Sequence, residues 1–227
     1  MVFTWKHITA AAVCMAVITA AAVFIRSQAV REISADAPKI ILDAGHGSPD
    51  GGAVGADGTE EKDINLAIVQ RLCEILESRG YSLILTRESD SGLQDEGADT
   101  IREMKISDMH RRREIIEKSG ADLFVSIHMN SFGDPSVSGL HVFYDKAHPA
   151  GEEIAKRIQD KIGAVTGAKV HTVKTADDSL FLMKNSPVPA ILVECGFLSN
   201  PEEEQKLITE EYQSKIAWAI AEALEGV

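Results

Sequence analysis

The sequence predicts an α/β fold: one domain with a central, mostly parallel or mixed sheet and helices on both faces, preceded by an N-terminal hydrophobic helix. Three observations support this. Short apolar runs alternate with stretches whose apolar residues recur every fourth position, and short links join them. The length, 227 residues, suits one domain with an appendage. A charge-free run of 18 residues, Ile8 to Ile25, sits near the N-terminus between Lys6 and Arg26.

That run barely spans a bilayer, which needs about 20 residues at 1.5 Å each. A membrane anchor and a cleaved signal peptide both fit residues 1–26. Ala35-Asp36-Ala37 offers an A-x-A pattern, but ten residues beyond the run, which favours the anchor. A buried core helix fits a basic N-terminus poorly. Either main reading places the rest of the chain outside the cytoplasm, membrane-anchored or secreted. Residues 27–38 read as a polar linker and 39–227 as the folded domain.

Lys39 to Leu42 is an apolar run ending in the glycine-rich DAGHGSPDGGAVG, a strand feeding a loop. Ile64, Ile68, Leu72 and Leu76 make a helical stripe stopped by Gly80. Tyr81 to Thr86 alternates as a strand. Glu88 to Glu103 holds six acids and one arginine and reads as a solvated loop; calcium-loop spacing is absent. Ile106 to Lys118 reads as a helix, Leu123 to Ile127 as a buried strand, Gly139 to Tyr144 as a strand. Glu152 to Ile162 reads as a helix, and Lys169 to Val173 and Ala190 to Val193 as strands. A final helix starts with Asn200 as cap, Pro201 at the first helical position and Glu203 three past the cap.

Lys and Arg total 23 against 35 Asp and Glu, a net charge of −12. The first 31 residues hold three of the basic residues and no acid, so the acidity belongs to the folded part. Nucleic acid is therefore not an expected partner, since binding a polyanion needs a basic footprint. The three cysteines show no paired spacing, which argues against a disulfide framework.

Ligands in open α/β sheets bind beyond the carboxyl ends of the strands. His46 follows the first strand, His128 the Leu123 to Ile127 strand, and Glu194 the Ala190 to Val193 strand. Each histidine alone could be a structural residue. Two at strand ends suit a divalent metal, zinc being usual for imidazole and carboxylate donors. A catalytic zinc wants a third protein ligand, for which Glu61 and its neighbour Glu60 compete at the start of a helix; acids there are often surface residues that complement the helix dipole. Glu194 interrupts an apolar stretch, where a carboxylate is costly unless paired, so it is either a general base of raised pKa or the partner of a buried arginine. Cys195 alternates to the opposite face and reads as core rather than nucleophile. The glycine-rich loop lacks both phosphate-binding patterns, so its glycines are read as permitting close backbone approach.

The blocks ILDAGHGSPDGGAVG, EEKDINLA, LTRESD, Arg111 to Arg113, ADLFVSIHMNS, SGLHVFY and LVECGFLSNPEEE occur in this order across nearly all of residues 39–225. As a set, the chain resembles the zinc-dependent N-acetylmuramoyl-L-alanine amidases of bacterial cell walls, and is most similar to their spore-cortex members. Ala44, Ser48 and Met129 depart from the usual family residues without removing a ligand. The resemblance implies zinc (Zn2+) bound by His46, Glu61 and His128, with Glu194 as catalytic carboxylate and Arg112 in support or substrate contact. It implies hydrolysis of the amide joining the muramic acid lactyl group to L-alanine in peptidoglycan, as the first step toward muramic δ-lactam. Some relatives of this kind need a partner lipoprotein, so a lipoprotein activator is a candidate partner. Two rival readings are a non-catalytic wall-binding or scaffold protein on the same fold, and another zinc hydrolase of wall fragments, a peptidase or deacetylase.

Overall fold

The computed structural model describes residues 37–227. The apolar segment read as anchor or signal peptide, and the linker up to Asp36, lie outside the described residues. Among those described, no helix is long and apolar enough to cross a membrane.

Six strands form one sheet: β1 (Lys39–Ala44), β2 (Ser82–Leu85), β3 (Leu123–Asn130), β4 (His141–Tyr144), β5 (Lys174–Thr175) and β6 (Ala190–Phe197). Their order is β2-β1-β3-β6-β4-β5. The first four in that order run parallel, β4 runs antiparallel to β6, and β5 is parallel to β4. The sheet is therefore mixed. The central strands β3 and β6 are apolar along most of their length because both of their faces are covered.

Among the described residues five helices accompany it: α1 (Glu61–Ser78), α2 (Ile101–Lys118), α3 (Pro149–Thr166), α4 (Pro201–Leu207) and α5 (Glu210–Ala223). On one face, Ile64, Ile68 and Leu72 of α1 join Ile154 and Ile158 of α3 and Ile216 and Ile220 of α5 in a single core with Leu42, Val125 and Val193. On the other face, Ile116 of α2 meets Ile41, Phe124 and Leu192 in a smaller cluster.

Three expectations are corrected. Helix α2 begins at Ile101, inside the stretch read as loop, because Thr100 and Glu103 form a reciprocal capping box. It buries only Arg112 and Ile116, so its start carries no apolar stripe to read. The strand expected over Lys169 to Val173 is reduced to one bridge between Val170 and Leu140. There the His171 ring rests on the Ser138 carbonyl oxygen (3.0 Å), and the chain rejoins the sheet only at Lys174. The single final helix is two: Asn200 caps α4, and the Thr209 hydroxyl accepts from the Tyr212 amide to start α5.

Candidate metal centre

The parallel strands β1, β3 and β6 end on one rim, and each delivers a polar side chain there. His128 and Glu194 are register partners on β3 and β6, hence neighbours on the same face. His46 follows β1 with φ +62, a left-handed conformation uncommon for a residue bearing a Cβ. Glu61 is the first residue of α1 and is buried (3% exposed).

The Glu61 carboxylate sits between the two imidazoles. One oxygen lies 2.8 Å from His128 Nδ1 and accepts from the Met129 amide (3.0 Å) and Asn65 Nδ2 (3.2 Å). The other lies 3.2 Å from His46 Nε2 and accepts from the Ala53 amide (2.8 Å). Donor atoms of His46, Glu61 and His128 all fall within 4.8 Å of one another, which allows them to converge on one cation. Glu60 instead pairs with Lys62 at 3.0 Å and stays partly exposed, so the geometry separates the two acids.

Two glycines make this approach feasible. A Cβ on Gly45 would meet the His128 ring at 2.2 Å, and one on Gly52, where φ is +72, would meet Glu61 Oε2 at 2.6 Å. Any larger residue would push a donor away.

Burial disfavours charge on His46, but its bonds to Asp50 and Glu61 outweigh that and raise its pKa to about 9. Burial likewise opposes charge on Glu61, yet the facing His128 and His46 hold its carboxyl well below the ordinary range. The same opposition, resolved by Glu61, raises His128. Metal binding therefore competes with protons at both rings. Glu194 differs: burial, reinforced by the charge of Glu61, pushes it up to about 7 against the pull of His128 and His46. Its Oε2 is buried without a hydrogen-bond partner. Such an orphan is costly in a folded protein and suits a reacting group or a water.

The buried-arginine alternative for Glu194 is not what the fold builds. Arg112, 1% exposed, pairs with Asp43 (2.5 Å) and Asp108 (2.7 Å) and donates to the carbonyl oxygens of Ala44 (2.8 Å) and His46 (2.5 Å). It grips the backbone that carries His46. Cys195 is buried in the core on the opposite face.

Four residues of this centre were not singled out by sequence reading. Asp50 Oδ2 lies 2.8 Å from His46 Nδ1, and its other oxygen pairs with Lys105 (2.8 Å). Asn65 ties Glu61 to the Gly45 carbonyl (3.1 Å). Asp43 anchors Arg112, and Arg87 caps the carbonyls of Ala44 (2.9 Å) and Gly45 (3.1 Å). Asp50 and Asn65 each stand four residues after a candidate ligand, a usable signal; Asp43 and Arg87 offer none. Beside the centre opens a cavity of about 320 Å³, lined by His46, His128, Arg112, Met109, Phe181 and Leu192 among others.

Comparison with known proteins agrees with this architecture. Residues 40–226 match the family model described as N-acetylmuramoyl-L-alanine amidase. The germination-specific N-acetylmuramoyl-L-alanine amidase of Bacillus subtilis is 39% identical over 181 residues, covering 80% of this chain and 76% of that protein. The amidase AmiA of Escherichia coli is 30% identical over 228 residues, covering 82% and 74%. A solved structure of the CwlD amidase from Clostridioides difficile, in complex with the GerS lipoprotein, superposes with a TM-score of 0.80 at 44% identity, covering 83% of this chain and 96% of that one. A near-complete family match, ordered relatives of this identity and a shared sheet together mean that the chain belongs to the N-acetylmuramoyl-L-alanine amidase family and is an amide hydrolase of that class.

Proposed function

We propose that this chain cleaves the amide between the lactyl carbonyl of muramic acid and L-alanine of peptidoglycan, with zinc held by His46, Glu61 and His128 and with Glu194 as the proton-transferring carboxylate. The observation that carries this reading is the buried, unpartnered oxygen of Glu194 beside three converging donors.

When bound, zinc supplies a Lewis acid that polarises the scissile carbonyl and acidifies water. The chain does the rest. Asp50 orients the His46 ring through Nδ1, which leaves Nε2, the nitrogen facing Glu61, as the donor toward the metal. Asn65 and the amides of Ala53 and Met129 fix the Glu61 carboxylate. Arg112 holds the His46 backbone in place. A pKa near 7 lets Glu194 accept a proton from the attacking water and return it to the departing L-alanine nitrogen.

Residues 1–26 serve in this reading as anchor or signal peptide, 27–38 as linker and 39–227 as catalytic domain. The enzyme then acts outside the cytoplasm, where its substrate lies. Likeness to the germination-specific amidase supports a role in spore cortex, and likeness to CwlD, solved with GerS, supports a lipoprotein activator.

Mass spectrometry of zinc-loaded digests of cortex-type and vegetative wall tests the reading. Stem peptides with a new L-alanine amino group are expected; cleavage within the peptide, or release of acetate, would overturn it.

A further inference from the structure

Resting on that reading, the structure also assigns a direction to the substrate. The leaving nitrogen must lie against Glu194 to receive its proton, so the peptide departs on the β6 side of the metal ligands and the muramoyl group on the other. From β6 the sheet continues to β4 and β5. His141 is the register partner of Glu194, and Phe143 is the register partner of Lys174, so all four side chains share one face.

On this face Lys174 holds an exposed ammonium in an unusual setting. Its Nζ lies 5.9 Å from the Phe143 ring centroid and 3.5 Å from His141 Nδ1. His141 in turn packs against His171 (ring centroids 4.2 Å apart) and Phe197 (5.7 Å). Other lysines near the centre are matched by acids: Lys62 pairs with Glu60, Asp63 and Asp90, and Lys105 with Asp50. Among the described residues Lys174 forms no ion pair, like Lys39, Lys146, Lys161, Lys169 and Lys206; what sets it apart is the Phe143 ring and the His141 nitrogen against its ammonium. An exposed cation held over an aromatic ring, and against the strand that neighbours Glu194, is placed to meet a carboxylate from outside.

We propose that Lys174, backed by Phe143 and His141, is a binding subsite for the first free carboxylate of the stem peptide. The second stem residue is a glutamate joined to the third through its side chain, which leaves its α-carboxylate free. That group is one residue past the scissile nitrogen, roughly 6 to 7 Å away. Lys174 lies on β5, two strand spacings or roughly 10 Å from β6, and its ammonium reaches back to His141 on the strand between, so a carboxylate one residue past the scissile nitrogen falls between Glu194 and the ammonium.

The test uses the zinc-loaded enzyme and two soluble muropeptides that differ only in a carboxylate or a carboxamide at that position. The wild type should show a KM about tenfold lower for the acid, the worth of one charge-assisted hydrogen bond. Lys174→Met should raise the KM of the acid to that of the amide with kcat unchanged, and Lys174→Arg should restore the preference. Equal KM values for the wild type, or a Lys174→Met effect that is the same on both substrates, would overturn the subsite while leaving the amidase reading intact. Failure of the wild type to release an amine from either substrate would overturn that reading and the subsite with it.

Discussion

Arg87 donates to the carbonyl oxygen of Lys62 at 2.7 Å, the residue that follows Glu61 at the start of α1. The same guanidinium caps Ala44 and Gly45, the two residues that precede His46. One buried arginine thus sets the spacing between two segments, each carrying a proposed metal ligand.

Arg87→Met should therefore do two separate things. Loss of these three bonds, with Ala44 still held by Arg112 and Gly45 by Asn65, should lower stability by roughly 1 to 3 kcal/mol, read by urea denaturation of the metal-free protein. Zinc affinity, read by chelator competition, should fall about 10- to 100-fold as the donor spacing relaxes. Unchanged affinity in a destabilised variant would reduce Arg87 to a purely structural role.

Glu194 and His46 should separate by metal content. Glu194→Ala is expected to retain zinc by metal analysis while losing hydrolysis by about 10²- to 10⁴-fold, the usual worth of a positioned proton-transfer group. His46→Ala should lose both the metal and the activity. Full turnover in either variant would refute the assignment.

His141 makes stability depend on pH. Burial, then the positive charges of Lys174, His171 and Lys169, pushes its pKa down to about 4. In the unfolded chain a histidine titrates near ~6.5, so between those values the unfolded state binds a proton that the folded state refuses. The contribution is intact above pH ~6.5 and is lost progressively as pH falls toward 4. The urea midpoint of the wild type should fall more steeply from pH 7 to pH 4.5 than that of His141→Gln. Parallel slopes for the two proteins would show that His141 is not held neutral.

Much of the fold could be read from local pattern, because it is encoded locally. The stripe of α1 and the apolar runs of β3 and β6 record burial directly in residue type. Elements held by polar contacts were less legible. Helix α2 begins at a capping box and docks through Arg112, so no apolar period announced its start. The two-residue β5 depends on an edge pairing with β4, and nothing in its own composition requires it. At the centre, the resemblance separated Glu61 from Glu60, whereas the residues that orient the ligands, Asp43 and Arg87 above all, follow no spacing.

The sequence by itself determined the alternation of strand and helix, the acidic balance, the membership of the family and the residue types available for chemistry, since each is a property of neighbours along the chain. Tertiary structure alone decided that donors 15, 67 and 82 residues apart face one another within 4.8 Å, that Glu194 keeps an oxygen without a partner, and that Lys174 stands beside the same rim. The physical reason is that convergence and desolvation depend on distances through space, which parallel strand register and buried guanidinium clamps set only once the sheet has formed.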